Sequence, residues 1–343
     1  MIERKEYKKL FVEVSPAFYK NMLFNAINKK EKIMVAYQED PSRPFRDSDF
    51  LKGDKEFEYI NMTGSPWKMC RDLVSLVKNT HYDELIVGGY DRIYSWVAVM
   101  VSPKKKNAVI VESTLRETQK KGWRVLLKKI FFRRVNKAYV CGKSHEDLVR
   151  FFGFKGKVVD ILSVGFIRRV PQPVYEERDK VANFVYVGRL IPVKNLEWLI
   201  ERFVNHTELT LTVIGTGELE EKLKAMAPEN VHFTGAIPNT ALPQYYQKAD
   251  VFVLPSYSET YGLAVEEALN NGTPVLLSHM IGCQDNLVVK NDVGLVFKLN
   301  DVADFERQLS RICNANFYNH LRKNVSKMDF EKFEENIVRA FIG

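Results

Sequence analysis

Residues Val251–Pro274 read VFVLPSYSETYGLAVEEALNNGTP. Val251–Leu254 is an apolar run of buried-strand length. Pro255 and Ser256 end it. Glu259, Thr260 and Gly262 follow, and then Leu263–Leu269 has a helical pattern closed by Asn271-Gly272. The stretch predicts strand, turn, helix. In a parallel sheet, ligands bind in the crevice beyond the strand ends. The helix start adds unpaired N–H groups and partial positive charge, which suit a phosphate or a partly anionic oxygen.

Two carboxylates frame the turn. Glu259 precedes the helix and Glu267 lies within it, eight positions on. A carboxylate accepts two hydrogen bonds side by side, so it can grip the vicinal hydroxyls of a ribose or a hexose. The spacing also suits a plainer role, in which Glu259 caps the helix and Glu266 and Glu267 are solvated.

Upstream, Asn183–Val187 reads as a strand that runs into Gly188-Arg189-Leu190 and then Pro192-Val193-Lys194-Asn195. An amphipathic helix follows, with Leu196, Leu199, Ile200 and Phe203 on its apolar face. Arg189 offers a planar fork of donors and Lys194 a point charge, so the turn suits a diphosphate. Leu209–Ile214 is the next strand and ends in Gly215-Thr216-Gly217. That turn lacks the third glycine of a dinucleotide-binding fingerprint.

The strings P-S-x-x-E-T-Y-G-L-x-x-x-E-A-L, G-T-P-V and G-R-L-x-x-x-K-N together resemble the donor-site signature of retaining glycosyltransferases of family 4. The resemblance is specific from about Val185 to Phe297 and architectural before that. It implies the α/β GT-B fold, two Rossmann-like doubly wound parallel-sheet domains facing across a cleft. It implies that Arg189 and Lys194 hold the donor diphosphate, that Glu267 holds the nucleotide ribose and that Glu259 lies by the donor sugar. By the same resemblance Gly188, Gly215, Thr260, Tyr261, Gly262 and Leu263 belong to the donor site, and Ile237 lies against the base. Glu259, Arg189 and Lys194 are the expected catalytic residues. The reaction would move a hexosyl group from a UDP- or GDP-sugar to a glycan or lipid-linked acceptor, with retention, in cell-surface polysaccharide biosynthesis. No D-x-D stands in a suitable place, so neither a metal nor another cofactor is expected. A GT-B epimerase, a phosphorylase and a non-catalytic nucleotide-sugar-binding protein would share the fold. No lysine makes a convincing pyridoxal phosphate site.

In the first half, strand-like runs alternate with helical patterns, which argues for a parallel sheet with helices on both faces. The strands are Leu10–Val14, Lys32–Ala36, Glu84–Val87, Ala108–Val111, Ala138–Cys141 and Val158–Leu162. Gln38–Lys55 reads as an exposed loop. Family 4 enzymes often carry a Gly-rich loop after the first strand; here Ser15-Pro16 stands instead. Gly89, after the third strand, permits either close approach of a ligand or a tight turn. Where many relatives have a His near the donor sugar, this chain has Glu112 and Ser113. Glu112 reads either as a sugar or acceptor contact or as a helix cap. The expected domains are 1–169 for the acceptor and 170–326 for the donor, with a helix over 327–343 returning to the first.

The chain has 343 residues, enough for two domains, and a formal net charge of +8. Its four cysteines are scattered and read as reduced thiols of a cytoplasmic protein. No apolar run reaches membrane-span length. Residues 120–137, KKGWRVLLKKIFFRRVNK, place Trp123, Leu126, Leu127, Ile130 and Phe131 on one helical stripe among basic residues. Either the stripe packs on the sheet, or the helix rests on an anionic membrane surface as a peripheral contact. No helix-turn-helix, RNP string or zinc-finger spacing points to nucleic acid.

Overall fold

The computed structural model describes residues 6–38, 53–116 and 118–343. Most of the expected loop at Gln38–Lys55 lies outside the described residues. The chain divides into two compact units, Met1–Phe166 with Glu331–Gly343, and Ile167–Phe330.

The first unit holds a parallel sheet of seven strands: β1 Glu6–Glu13, β2 Ile33–Gln38, β3 Glu58–Met62, β4 His81–Gly88, β5 Asn107–Val111, β6 Lys137–Val140 and β7 Lys157–Asp160. Their order is β3-β2-β1-β4-β5-β6-β7. Its helices are α1 Phe18–Asn28, α2 Pro66–Asn79, α3 Ile93–Val101, α4 Trp123–Arg133 and α5 Lys143–Phe151. Leu10, Phe11 and Val12 of β1, an inner strand, are fully buried, as expected where helices cover both faces of a parallel sheet. Sequence reading missed β3 and α3. β3 is largely exposed, so it lacks the apolar run that marks a buried strand. α3 reads IYSWVAVMV, whose β-branched residues suit a strand as well as a helix.

The second unit repeats the plan with β8 Asn183–Val187, β9 Thr210–Ile214, β10 Val231–Gly235, β11 Val251–Leu254, β12 Val275–Ser278 and β13 Gly294–Phe297, in the order β10-β9-β8-β11-β12-β13. Its helices are α6 Leu196–Phe203, α7 Glu220–Met226, α8 Leu242–Lys248, α9 Leu263–Asn270, α10 Val302–Ile312 and α11 Ala315–Val325. The last helix, α12 Phe330–Ile342, lies almost wholly in the first unit's share of the chain. There its Phe341 ring stacks on Tyr139 with centroids 4.6 Å apart.

Both sheets are doubly wound, as expected. Each reverses its strand order once, between β1 and β4 and between β8 and β11. Ligands of such folds bind beyond the strand ends at that reversal. The candidate site residues of each unit lie there.

Candidate functional site

In the second unit the site is stitched together by the backbone. Asn195 adopts a left-handed conformation (φ 57°) between a short turn, Pro192–Lys194, and α6. Its buried side-chain amide donates to the Pro255 carbonyl at 3.2 Å, just past β11. The Tyr257 N–H donates to the Val193 carbonyl at 2.9 Å. These bonds draw the turn after β8 against the turn after β11. As a result the Lys194 ammonium forms an ion pair and a hydrogen bond with the Glu259 carboxylate. Arg189 shares the same neighbourhood. Its carbonyl accepts from the buried Tyr186 hydroxyl at 3.0 Å. Burial first, and then the Glu259 charge, push the Tyr186 phenol upward, while Arg189 pulls it down. One hydroxyl thus feels both charges.

A second seam fixes Glu259 from the other side. Glu259 and Ile281 form a parallel bridge. The Gly282 N–H donates to the Glu259 carbonyl at 2.9 Å, and the Cys283 N–H to the Tyr261 carbonyl at 3.0 Å. The Ser278 hydroxyl donates to the Ser256 carbonyl at 2.6 Å. A side chain on Gly282 would put its Cβ 1.9 Å from the Thr260 carbonyl, so only glycine permits the approach. His279 is structural there: its Nδ1 accepts the Leu299 N–H at 3.2 Å.

The acids after Gly262 sort themselves by burial. Glu266, expected as solvated in the plainer reading, is fully buried and accepts the Tyr261 hydroxyl at 2.9 Å. The Tyr261 ring is accordingly buried in the core. Glu267 is half-buried in the second turn of α9 and accepts the Tyr246 hydroxyl at 3.1 Å. Burial pushes its carboxyl up to about 7, while the Tyr246 hydrogen bond and then the Arg168 charge oppose the rise. Thr260, Leu263 and Ile237 are each half-buried. Gly262, with φ 106°, makes the left-handed entry into α9. Gly215 is required by packing: a Cβ there would lie 2.0 Å from the carbonyl oxygen of Gly188. The structure therefore pairs Lys194 with Glu259, and the Arg189 backbone accepts the Tyr186 hydroxyl on which the Glu259 and Arg189 charges both act. Glu267 stands further along α9 with its own partners.

The first unit has a cavity of about 220 Å³ at its own strand reversal. Glu13 at the end of β1, Gly88 and Gly89 at the end of β4, and Glu112 and Ser113 after β5 all line it. Lys20, from the first turn of α1, reaches both acids, at 2.8 Å from Glu13 and 2.7 Å from Glu112. Burial alone would lower the Lys20 ammonium, but Glu112 and Glu13 outweigh it and raise it well above its ordinary value. The Glu13 carboxyl is raised by its burial, against the pull of Lys20. The capping role of Glu112 does not hold, because the next helix begins only at Trp123 with Gly122 as its N-cap. Of the two glycines, the crowded one is Gly88, where a Cβ would lie 2.2 Å from the Glu13 carboxylate. Gly89 has open space around it and φ 105°, so it serves the turn. Sequence reading missed Glu13 and Lys20. A lysine on the buried face of α1, between Phe18 and Asn21, was the available signal.

Residues 171–328 match the family model of glycosyl transferases group 1. The match takes in most of the second unit, and the matched residues include Arg189, Lys194 and Glu259. The chain is 31% identical over 153 residues to the sulfoquinovosyl transferase SQD2 of Arabidopsis thaliana, covering 44% of this chain and 30% of that one. It is 31% identical over 152 residues to the UDP-Gal:alpha-D-GlcNAc-diphosphoundecaprenol alpha-1,3-galactosyltransferase of Escherichia coli, covering 41% and 39%. Each match thus spans well under half of the relative's length. A solved structure, sucrose-phosphate synthase from Thermosynechococcus elongatus, superposes with a TM-score of 0.71 at 17% identity over 98% of both chains. That likeness establishes the GT-B fold.

Outside the group 1 region, α4 departs from expectation. The predicted stripe does not pack: Trp123 is 68%, Leu126 59%, Leu127 40% and Ile130 37% exposed. Of that stripe only Phe131 is buried, together with Val125 and Phe132 from beside it. The reason is an aromatic cluster. Phe131 and Phe132 pack on Tyr90, and Phe132 stacks on Phe152 at 5.5 Å, which sets the rotation of the helix. Among the described residues no helix is long and apolar enough to cross a membrane.

Proposed function

We propose that this protein is a retaining glycosyltransferase. It moves a hexosyl group from a UDP- or GDP-sugar to a glycan or lipid-linked acceptor, in assembly of a cell-surface polysaccharide at the cytoplasmic face of a membrane. The observation that carries this reading is the contact of Lys194 with Glu259 beside Arg189, within a group 1 region. The chemistry is a problem of charge. As the sugar leaves, negative charge grows on the β-phosphate and positive character grows on the sugar ring. Arg189, Lys194 and the start of α9 stabilise the departing phosphate. Glu259 orients the sugar and keeps Lys194 in place. Glu267, in its ionised form, takes the ribose hydroxyls. The cations do what a metal does in other enzymes, so no metal is needed. The acceptor enters at the Glu13, Lys20 and Glu112 cavity.

The exposed face of α4 supports a peripheral membrane contact. Four apolar side chains point outward among Lys120, Lys121, Arg124 and Lys129. Basic residues near an anionic lipid surface contribute ~1 kcal/mol each. The name of the Escherichia coli relative includes a diphosphoundecaprenol acceptor, which fits a membrane-borne substrate.

A thermal-shift screen of UDP-glucose, UDP-GlcNAc, UDP-galactose and GDP-mannose tests the donor reading. One of them should raise the unfolding temperature and support transfer. Glu259→Ala should then lower turnover by about a hundredfold or more, because the donor sugar loses its orienting contact. A protein that binds a nucleotide sugar but shows no turnover to lose would be a sensor rather than an enzyme.

A further inference from the structure

A second cavity of about 300 Å³ adjoins the first. The two share Asp91 and Ser113 in their walls. The second is otherwise lined by Thr118, Gln119, Arg124, Val125 and Lys128. We propose that this second cavity is the subsite for a phosphate or diphosphate group borne by the acceptor, whose sugar occupies the first cavity. This rests on the transferase reading above.

The argument begins with α4. Arg124 and Lys128 stand four residues apart, so they share one face of the helix. Both cations are held in place. The Arg124 guanidinium lies over the Trp123 ring at 5.6 Å, and the Lys128 ammonium over Tyr90 at 4.8 Å and Phe152 at 5.6 Å. Lys128 also pairs with Asp91 at 3.5 Å. Asp91 is 65% exposed on its side chain, and it stands at the border of the two cavities, where it accepts sugar hydroxyls as well. Among the described residues no carboxylate forms an ion pair with Arg124. A neutral sugar has no use for two fixed cations, whereas a phosphate does, and the Arg fork matches two of its oxygens. Ser113 and Gln119 add neutral hydrogen-bond donors, while the Thr118 hydroxyl donates to the Thr114 carbonyl at 3.1 Å. The neighbouring face of the same helix carries the exposed Trp123, Leu126, Leu127 and Ile130. Sugar cavity, phosphate cavity and apolar face thus follow one another in the order of a sugar, its diphosphate and a prenyl tail.

The test is calorimetric titration of the full chain with farnesyl diphosphate, in saturating uridine diphosphate so that the cations of the second unit are occupied. Farnesol serves as the uncharged control. Wild type should bind farnesyl diphosphate at least tenfold more tightly than farnesol. Arg124→Gln with Lys128→Gln should remove that preference, while uridine diphosphate binding and the unfolding temperature stay within error of wild type. Equal binding of farnesol and farnesyl diphosphate by wild type would overturn the proposal without any variant. So would a double variant that binds farnesyl diphosphate as wild type does. A variant that loses only its binding to phosphatidylglycerol vesicles would assign the cations to bulk lipid headgroups and also overturn it. Uridine diphosphate binding to wild type, measured alone, checks the donor reading independently.

Discussion

As the proposed ribose ligand, the half-buried Glu267 would tie ligand binding to pH. Its carboxyl is raised to about 7, with burial the main cause. From about pH 4.5 to about 7 the folded protein keeps a proton that the unfolded chain has released. This group's contribution to stability therefore falls as pH rises across that window. In the proposed role as ribose ligand the ionised form does the binding, so affinity would gain over the same range. Uridine diphosphate affinity should rise roughly tenfold more between pH 6 and pH 8 in wild type than in Glu267→Gln. The titration of the phosphate is common to both proteins, and calorimetry at the two pH values reads the difference. If the two pH profiles ran parallel, Glu267 would not be the ribose ligand. Gly282 gives a second residue-scale prediction. Gly282→Ala drives a Cβ into the Thr260 carbonyl and parts the seam that holds Glu259. It should cost about 1–3 kcal/mol in stability and lower kcat more than it raises KM. Denaturant melts and steady-state kinetics measure both.

At the scale of elements, α4 separates two roles around its circumference. Val125, Phe131 and Phe132 tie it to the first unit, and Trp123, Leu126, Leu127 and Ile130 face outward. Replacing Trp123 and Leu126 with Ser removes little packing, so stability should change by under about 0.5 kcal/mol. Co-sedimentation with vesicles containing phosphatidylglycerol should fall severalfold. Unchanged co-sedimentation, or equal binding to neutral phosphatidylcholine vesicles, would count against the membrane contact. The periodic pattern of this helix was legible from sequence, but its rotation was not. Trp123, Leu126, Leu127 and Ile130 fit a 3.6-residue apolar period, while the face that is buried, Val125, Phe131 and Phe132, is interrupted by Lys128. The aromatic cluster with Tyr90 and Phe152 chose between them.

At the scale of the whole molecule, the net charge of +8 favours anionic ligands over cationic ones. If its own cations stabilise the departing diphosphate, excess EDTA should leave turnover within twofold of the untreated enzyme. Arg189→Ala should lower kcat by about a hundredfold, and added magnesium should not restore it. Loss of activity in EDTA, restored by a divalent cation, would replace this account with a metal-assisted one.

The two turns of the second unit could be read from the linear chain because each is local, while their meeting, through Asn195 to Pro255 and Lys194 to Glu259, was decided by tertiary structure. A strand, a turn and a helix start are enough to suit a phosphate or sugar, and Gly188–Asn195 and Val251–Gly272 are each one continuous stretch. The alternation of strands and helices likewise determined two doubly wound sheets. The first-unit cavity was decided only by tertiary structure. Glu13, Gly88 and Glu112 come from the ends of three strands far apart in sequence, and their meeting depends on the strand order. The buried Lys20 between two acids, the burial of Glu266 and the outward face of α4 depend on which side of each element meets a neighbour. Sequence periodicity marks the faces an element has. Packing against the rest of the chain selects the one that is buried.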